Sequence, residues 1–280
     1  MDTASVRARA ISVLADLLGT GVHAFATALA TSIITDGWLT RRCRDDKSVV
    51  RRAAVQLVQV LLEKTTVESG YDPTPLVGLL EERCRDPVMT LRKVACVALT
   101  DVLFKYSAND GLWATWIRSV FVLIVDRETA VQEEAVNQTL RVLLHPWTAQ
   151  TGAANTLCEH GIAALATMEP ALLRNFQRIV VAWGKRGNEL KKDVVNKMIA
   201  FAKAHPLHKG IWLLLCEVFA SVPTLGDPAV PLQTWHDHSA IDGHEDLMAL
   251  VVRALGVVSG KLTNDSASGL ISTPKRLLLK

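Results

Sequence analysis

The chain has 280 residues, of which 49% are hydrophobic and only 5% aromatic, and its formal net charge at pH 7 is +3. This apolar content excludes a largely disordered chain, and the small net charge excludes nucleic-acid binding over the whole surface. Ala, Leu and Val are plentiful while aromatic residues are few, which favours packed helices over β-sheet.

Five cysteines are widely spaced, odd in number and without a C-x-x-C pair. This usage predicts a reducing compartment and argues against both disulfides and zinc sites. No apolar run approaches the ~20 residues that span a bilayer, and the N-terminus lacks the apolar core of a signal peptide. We therefore expect no membrane segment and a cytosolic or nuclear location.

A short acidic turn sequence recurs along the first half of the chain. Residues 45–51 (DDKSVVR), 86–92 (DPVMTLR) and 126–132 (DRETAVQ) repeat with spacings of 41 and 40 residues, and residues 2–7 form a weaker copy. A period of about 40 residues built from helix pairs is typical of HEAT and armadillo repeats. The sequence therefore predicts an all-α fold, a HEAT/armadillo-type helical-repeat solenoid.

Each turn is followed by an apolar stripe with helical spacing. From Val50 and from Leu91, apolar residues recur at i+3, i+4, i+7, i+8, i+11 and i+12. The first copy predicts a similar stripe of Val6, Ala10, Val13, Leu14, Leu17 and Leu18. The last copy departs, because Gln132 stands where the others have arginine and Gln138 and Thr139 interrupt its stripe.

The repeats divide the chain into three predicted regions. Residues 1–145 form regular repeats, residues 146–259 form more divergent helical repeats in which the strict period dissolves, and residues 260–280 form a disordered tail. Helices are predicted at 24–34, 75–83, 112–125, 151–168, 170–184, 189–205, 210–222 and 243–259, in addition to those that follow the repeated turns.

Catalytic motifs are missing from the sequence. There is no G-x-x-x-x-G-K-[ST] loop, G-x-G-x-x-G or G-x-S-x-G, and Met248 stands where a zincin would need a second His after His244. We expect no enzyme activity, cofactor, metal or small-molecule substrate. The segment from Trp235 to His238, with His244 and Asp246, could bind a metal in principle, but a solvated loop is the favoured interpretation.

The charged residues of the repeated turns predict a ladder. Equivalent turns align along one edge of stacked repeats, so an Asp of one repeat can bond the Arg of its neighbour. Two pairings are open, Asp45 with Arg92 or Asp86 with Arg51. A solvated edge and a phosphate-contacting edge are equally open for the surplus bases, which are Arg42, Arg44, Lys47, Arg52, Arg85 and Lys93.

A basic segment lies later in the chain, with nine bases and two acids between Arg174 and Lys209. Its densest part, residues 185–192, is a turn leading into a predicted helix, where backbone N–H groups and lysines could hold phosphate. The alternative is a surface that only keeps the chain soluble. The hypothesis is non-specific binding of double-stranded DNA through five solvent-facing bases: Lys185, Arg186, Lys191, Lys192 and Lys197.

The tail contains a possible modification site. Thr273 begins the sequence TPKR, which matches the S/T-P-x-K/R pattern of cyclin-dependent kinase substrates. A phosphate there would add about two negative charges beside two bases.

The repeats resemble a known family. The stretches RCRDDKSVVRRAAVQLVQVLLE, ERCRDPVMTLRKVACVALTDVL and WIRSVFVLIVDRETAVQEEAVNQTLRVLL are similar to consecutive repeats in the D-type HEAT subunit of condensin II. A weaker likeness runs through GIWLLLCEVFASVP to Trp235, so the resemblance covers roughly residues 40–240. The order CRDP, then D-x-x-x-x-VQE, is more specific than a generic HEAT motif.

That resemblance implies a role. Condensin II is a ring of two SMC ATPases closed by a kleisin, and its HEAT subunits contribute kleisin contacts and DNA binding during mitotic chromosome condensation in the nucleus. Members of the family are several times longer, which implies an internal piece or a short isoform. The rival is a transport adaptor that grips peptides in a concave groove. It is disfavoured because the tryptophans do not repeat in register.

Overall fold

Helices make up nearly all of the regular structure. The computed structural model describes residues 3–20, 23–65, 72–149, 151–239 and 243–259, and within these ranges it contains no β-strand. The predicted all-α helical-repeat fold is confirmed. Of the helices in these ranges, none is both long and apolar enough to cross a membrane. The α-helices are α1 (Ala4–Thr20), α2 (His23–Thr35), α3 (Trp38–Cys43), α4 (Ser48–Lys64), α5 (Thr74–Arg83), α6 (Met89–Lys105), α7 (Asp110–Val120), α8 (Thr129–Thr139), α9 (Gly152–Ala166), α10 (Leu173–Lys185), α11 (Lys192–Ala204), α12 (Lys209–Ser221), α13 (Ala229–His238) and α14 (Glu245–Val258).

The chain divides into two compact units, Met1–Thr139 and Leu140–Lys280. In the first unit, α4, α6 and α8 begin 41 and 40 residues apart, which is the period of the repeated turns. α4 packs against α1 and α6, and α6 packs against α8. α5 precedes α6 and packs against it as the first helix of a pair does, and α7, which follows α6, packs against α6 as well. A 3₁₀ turn, Phe121–Val125, follows α7 inside the range predicted as one helix.

The stripes of α4 and α6 form the core of the first unit. All seven apolar positions predicted in α4 are at most 4% exposed, and in α6 Leu99 and Leu103 are fully buried. Val94 is the exception in α6, because its side chain is only half-buried. Neighbouring stripes therefore cover each other, as stacking of units that cannot bury their own apolar face requires.

The stripe predicted for α1 is partly wrong. Val6, Val13 and Leu17 are 57%, 41% and 64% exposed. The helix packs most extensively on α4, and that contact covers one flank of its apolar face while leaving the other flank exposed. Leu18 of the predicted stripe is buried, and the other buried residues of α1 are Ile11 and Ala15, which the stripe did not include.

The second unit has a period of its own that the sequence analysis missed. Helices α10, α12 and α14 begin 36 residues apart in each case, and α12 packs against both of the others. Three sets of residues 36 apart on these helices are at most 6% exposed. They are Phe176, Trp212 and Met248; Ile179, Leu215 and Val251; and Trp183, Phe219 and Leu255. Beyond residue 146 the 40-residue period is not continued, and these three helices follow a period of 36 residues.

A buried carboxylate joins these three helices. Glu217 of α12 has a side chain that is 5% exposed, and its Oε1 lies 2.8 Å from an Arg253 nitrogen on α14. Gln177 of α10 donates to the same oxygen over 3.2 Å. Burial of Glu217 is therefore compensated by two donors, as a buried charge requires.

The segment from Trp235 to His238 was expected to be a loop, and this expectation is wrong. It forms the end of α13, with Pro231 in the first helical turn. Proline is tolerated there because the first N–H groups of a helix have no intrahelical acceptor. In the part of the chain that the structure describes, no three His, Cys, Asp or Glu side chains are grouped to hold a metal ion.

Two predictions concern residues outside the described ranges. The disordered tail predicted for residues 260–280 and the phosphorylation site at Thr273 both fall there, so both stay predictions.

Replacing Leu99 by Asp tests the packing of the repeats. The side chain is 0% exposed, so a carboxylate there would lose hydration without gaining a partner. We expect the free energy of unfolding, measured by urea titration, to fall by about 3 kcal/mol or more.

The matched control is Leu17→Asp, the same chemical change at a residue that is 64% exposed. It should cost about 1 kcal/mol or less, chiefly through the negative end of α1. Equal losses in the two variants would mean that the α6 stripe is not buried.

Candidate functional site

A guanidinium of one repeat binds the carboxylate of the next repeat's turn. Arg51 donates from Nε and Nη2 to the two oxygens of Asp86 over 2.8 and 2.9 Å. Its Nη1 donates backward to the carbonyls of Asp45 and Asp46 over 2.9 and 3.2 Å. The Asp86 side chain is fully buried and that of Arg51 is 9% exposed. One side chain thus holds two consecutive turns together through four hydrogen bonds.

The same contact is formed on either side. Arg7 donates to Asp45 over 3.0 and 3.1 Å, and Arg92 donates from Nη2 to Asp126 over 2.8 Å, with Nε 2.7 Å from the other oxygen. Each arginine therefore reaches the turn of the following repeat. Of the two pairings left open by the sequence, the structure contains Asp86 with Arg51. Asp45 and Arg92 are not brought together, since each bonds a different neighbour.

Each aspartate also holds its own turn. Asp45, Asp86 and Asp126 each accept the backbone N–H two residues later, over 3.0, 2.9 and 2.9 Å. The carboxylate therefore braces the turn before the helix and receives the arginine from the preceding repeat. This double role explains why Asp recurs at this position.

The series of arginines ends at Gln132. Its Nε2 donates to the Asp126 carbonyl over 2.5 Å, which is the bond that Arg51 and Arg92 make within their own repeats. Glutamine has a single side-chain nitrogen, so it cannot also donate to the carboxylate of a following repeat as the arginines do. The substitution coincides with the end of the first unit.

The contacts shift the acidity of the aspartates. Burial acts to raise the pKa of Asp45, but hydrogen bonds from Arg7 and the Lys47 amide outweigh it and lower the pKa to about 2. Burial is likewise outweighed at Asp86 and Asp126, whose pKa values lie below the ordinary value because Arg51 and Arg92 donate to them. All three carboxyls are ionised at neutral pH.

Most of the surplus bases of the turns have acidic partners. Arg44 binds Glu82 through two nitrogens, with its Nε 2.9 Å from one carboxylate oxygen. The nitrogen–oxygen distances of the other pairs are 3.2 Å for Lys47 with Asp46, 3.5 Å for Arg42 with Asp45 and for Arg85 with Glu81, and 3.7 Å for Lys93 with Glu134. Arg52 is exposed and has no ion pair among the described residues. The turn edge is thus largely neutralised by its own acids.

The basic segment of the second unit is different. Lys185, Lys191 and Lys192 are exposed, and within the described residues their side chains form no ion pair or hydrogen bond. Arg186 is exposed beside them. Asp193 and Glu189 are the acids nearest in sequence, and Glu189 lies 3.3 Å from the His145 ring. Lys185, Lys191 and Lys192 are therefore solvated cations.

Lys197 differs from the other four predicted bases. It is half-buried, and its ammonium donates to the Trp147 carbonyl over 2.8 Å. Trp147 packs edge-on against Phe201 with ring centroids 5.9 Å apart. Lys197 therefore braces the start of the second unit and does not extend the solvated group, contrary to the expectation that all five bases face solvent.

Two arginines that the site prediction omitted extend the basic surface. Arg174, Arg178, Val181 and Lys185 are all exposed on α10, and their spacings of four, three and four residues place them on one face. The opposite face, with Phe176 and Trp183, is fully buried. The helical spacing of these bases was the available signal. The basic surface is defined here as Arg174, Arg178, Lys185, Arg186, Lys191 and Lys192.

A glycine turn joins α10 to α11 within this surface. Gly187 has φ of +72°, a conformation that other residues rarely adopt, and its N–H donates to the Gly184 carbonyl over 3.2 Å. The turn lies in the loop of residues 186–191 that connects the end of α10 to the beginning of α11. Bases from both helices therefore flank one loop.

Sequence comparison finds relatives of a single kind. The chain is 24% identical over 246 residues to the condensin-2 complex subunit D3-L of Xenopus laevis, and 23% identical over 242 residues to subunit D3 of Mus musculus, covering 86% and 83% of the chain. It is 33% identical over 129 residues, 46% of the chain, to the condensin-2 subunit CAP-D3 of Arabidopsis thaliana. The resemblance to D-type condensin II subunits is confirmed.

The aligned part is a small share of each relative. It spans 16% of the Xenopus and mouse proteins and 9% of the Arabidopsis protein. No family model matches the chain. Among solved structures, an engineered protein aligns with a TM-score of 0.41 over 92% of both chains, and a designed armadillo repeat protein with 0.38 over 92% and 94%, each at 13% identity.

Replacing Asp86 by Asn tests the contact between turns. Removing one partner of a buried ion pair leaves the Arg51 charge uncompensated, so the free energy of unfolding at pH 7 should fall by about 3 kcal/mol. The control, Glu82→Gln, breaks a solvent-exposed pair and should cost less than about 1 kcal/mol.

The loss should depend on pH. Because the pKa of Asp86 is lowered in the folded chain, its contribution is present above the unfolded pKa of about 4 and disappears as pH falls through the folded value. Urea titrations of wild type and Asp86→Asn should therefore converge below pH 4. A difference that stays constant down to pH 2 would contradict this account.

Proposed function

We propose that the chain is a scaffold segment of a condensin II D-type subunit. In this role it contributes to assembly with the kleisin and SMC subunits in the nucleus, on chromosomes in mitosis, and adds non-specific contacts to double-stranded DNA. The similarity to three condensin-2 subunits supports the complex, and the helical repeats support a scaffold. Any ATPase chemistry would belong to other subunits.

The basic surface is the observation that carries the DNA contact. Arg174, Arg178 and Lys185 on α10, with Lys191 and Lys192 before and at the start of α11, are exposed cations without acidic partners in the described part of the chain. A cation already paired with a carboxylate must lose that partner before it can bind phosphate. An unpaired cation has only its counterions and water to release.

The geometry suits the DNA backbone more than its bases. From Arg174 to Lys185 the stripe on α10 extends about 16 Å at 1.5 Å per residue. Long flexible lysine and arginine side chains along it can follow phosphates of one strand. The exposed face of α10 lacks the Asn, Gln and Arg combination of a recognition helix, so little sequence preference is expected.

Salt dependence and charge reversal test this function together. Fluorescence anisotropy with a labelled 30-base-pair duplex should give a slope of log K against log salt of roughly −3 to −5, for about four or five phosphate contacts. Reversing Lys185, Lys191 and Lys192 to Glu should lower affinity at least tenfold. Stability should be unchanged, because these side chains contact solvent.

The control reverses three bases of the first unit, Lys47, Arg85 and Arg127, which are exposed and paired with acids. It changes the net charge by the same amount and should leave most of the DNA affinity. If both triple variants lose affinity equally, net charge and not the basic surface governs binding. If the wild type fails to bind at low salt, DNA contact is not a function of this chain.

A further inference from the structure

A groove runs along the first unit between α4 and α6. It consists of two adjoining depressions of about 370 and 430 Å³ that share Gln59. Val94, Val97 and Phe104 of α6 supply its apolar side, and Phe104 is 45% exposed. Gln59 lies at its middle, donating to Asp101 over 3.2 Å.

The apolar residues of α6 in the groove differ from their equivalents in α4. The 41-residue offset makes Val97 equivalent to Gln56, and Phe104 equivalent to Glu63. The repeat thus has polar residues at these surface positions in α4 and apolar ones in α6. Core packing does not require the exchange, because both α4 residues are exposed. Val97 is half-buried and Phe104 is exposed, and apolar side chains left open to solvent along one groove are typical of a surface that meets a partner.

The two ends of the groove carry opposite charge. At one end are Arg52, which has no ion pair among the described residues, and Lys93, which is 3.7 Å from Glu134. The other end has Glu63 and Asp101. Lys105 also lies there, but its ammonium binds carbonyls at the end of α4, over 2.9 Å in the case of Leu62.

We propose that this groove binds a short extended segment of another protein, with apolar residues in the centre, an acidic residue at the Arg52 end and a basic residue at the Glu63 end. Arg52 and Glu63 are eleven residues apart on one helix, a rise of about 16 Å. An extended chain covers that distance with about five residues. The inference rests on the proposed scaffold role and gives it a binding site.

The partner's chemistry follows from the groove. Apolar side chains of the segment gain from burial on Val97 near the middle of the groove and on Phe104 toward the Glu63 end, while the charged ends fix the direction in which the segment lies. A nucleic acid does not fit, because its phosphates would meet the carboxylates at one end. A segment acidic at both ends is disfavoured for the same reason.

Selection from a phage-displayed random heptapeptide library on the immobilised chain tests the proposal. Enriched peptides should place an acidic and a basic residue three to five positions apart with apolar residues between them. A synthetic copy of an enriched peptide should bind the wild type in fluorescence anisotropy and lose at least tenfold affinity for Val97→Glu and for Phe104→Glu.

Arg52→Glu is a more specific test than the Val97 and Phe104 variants, because Arg52 is exposed and its replacement does not disturb packing. The variant should weaken the peptide at least fivefold, and changing the peptide's acidic residue to Lys should restore affinity. Lys185→Glu, in the other unit, is the charge-matched control and should leave peptide affinity unchanged. Circular dichroism verifies that each variant is folded.

Failure to enrich any peptide, or equal affinity of the selected peptide for wild type, Phe104→Glu and Arg52→Glu, would overturn the groove assignment. The DNA-binding test is independent of the peptide-binding test, since the groove variants should keep the salt-dependent DNA binding of the wild type. A folded chain that binds DNA but no peptide would disprove the groove alone. Peptide binding without DNA binding would disprove the basic surface alone.

Discussion

The arginine that ties one repeat turn to the next constrains the whole first unit. Removing a guanidinium and a carboxylate from water is costly, so the pair is tolerated only where both are fully hydrogen-bonded. Arg51 meets that condition by donating to Asp86 and to two carbonyls of its own turn. A shift of one repeat along its neighbour would break these bonds and leave a buried charge unpaired. The contact therefore fixes the register in which the apolar stripes meet.

The same contact determines where cations remain available. In the first unit, acids of each turn bind the arginines of that turn and of the preceding repeat, so the edge is rich in bases yet largely neutralised. The second unit uses a different device, a buried Glu217 between Gln177 and Arg253. Lys185, Lys191 and Lys192 are not needed for packing and stay solvated. A count of bases along the sequence cannot distinguish bases that are paired with acids from bases that are solvated, whereas the ion pairs in the structure can.

The parts of the fold that depend on local periodicity could be predicted from the sequence. The period of about 40 residues and the stripes of α4 and α6 depend on spacing alone, which the chain displays directly. The exposed flank of α1 could not be foreseen, because the same stripe is buried or exposed according to which helices lie against it. The 36-residue period of the second unit was present but hidden, since its equivalent residues are as different as Phe176, Trp212 and Met248.

For the charged residues, too, some partners could be predicted from the spacing of the sequence, whereas others depend on the fold. Asp86 and Arg51 were foreseeable as partners because the repeat aligns their turns, but only the fold shows that each arginine reaches forward and so excludes Asp45 with Arg92. Lys197 lies in a basic run, yet its helical position turns it toward the Trp147 carbonyl. Arg174 and Arg178 lie far from the densest bases in sequence and join them through the exposed face of α10. α13 was not among the predicted helices, although Pro231 is compatible with it because that proline lies in the first helical turn.

The central claim is that this chain is a scaffold segment of a condensin II assembly. Affinity purification of the tagged chain from mitotic cells, followed by mass spectrometry, measures this most directly. We expect the condensin II kleisin and both SMC subunits to co-purify with the folded chain and to be lost when Leu99→Asp disrupts its repeats. Purification of a folded wild-type chain without any condensin II subunit would contradict it.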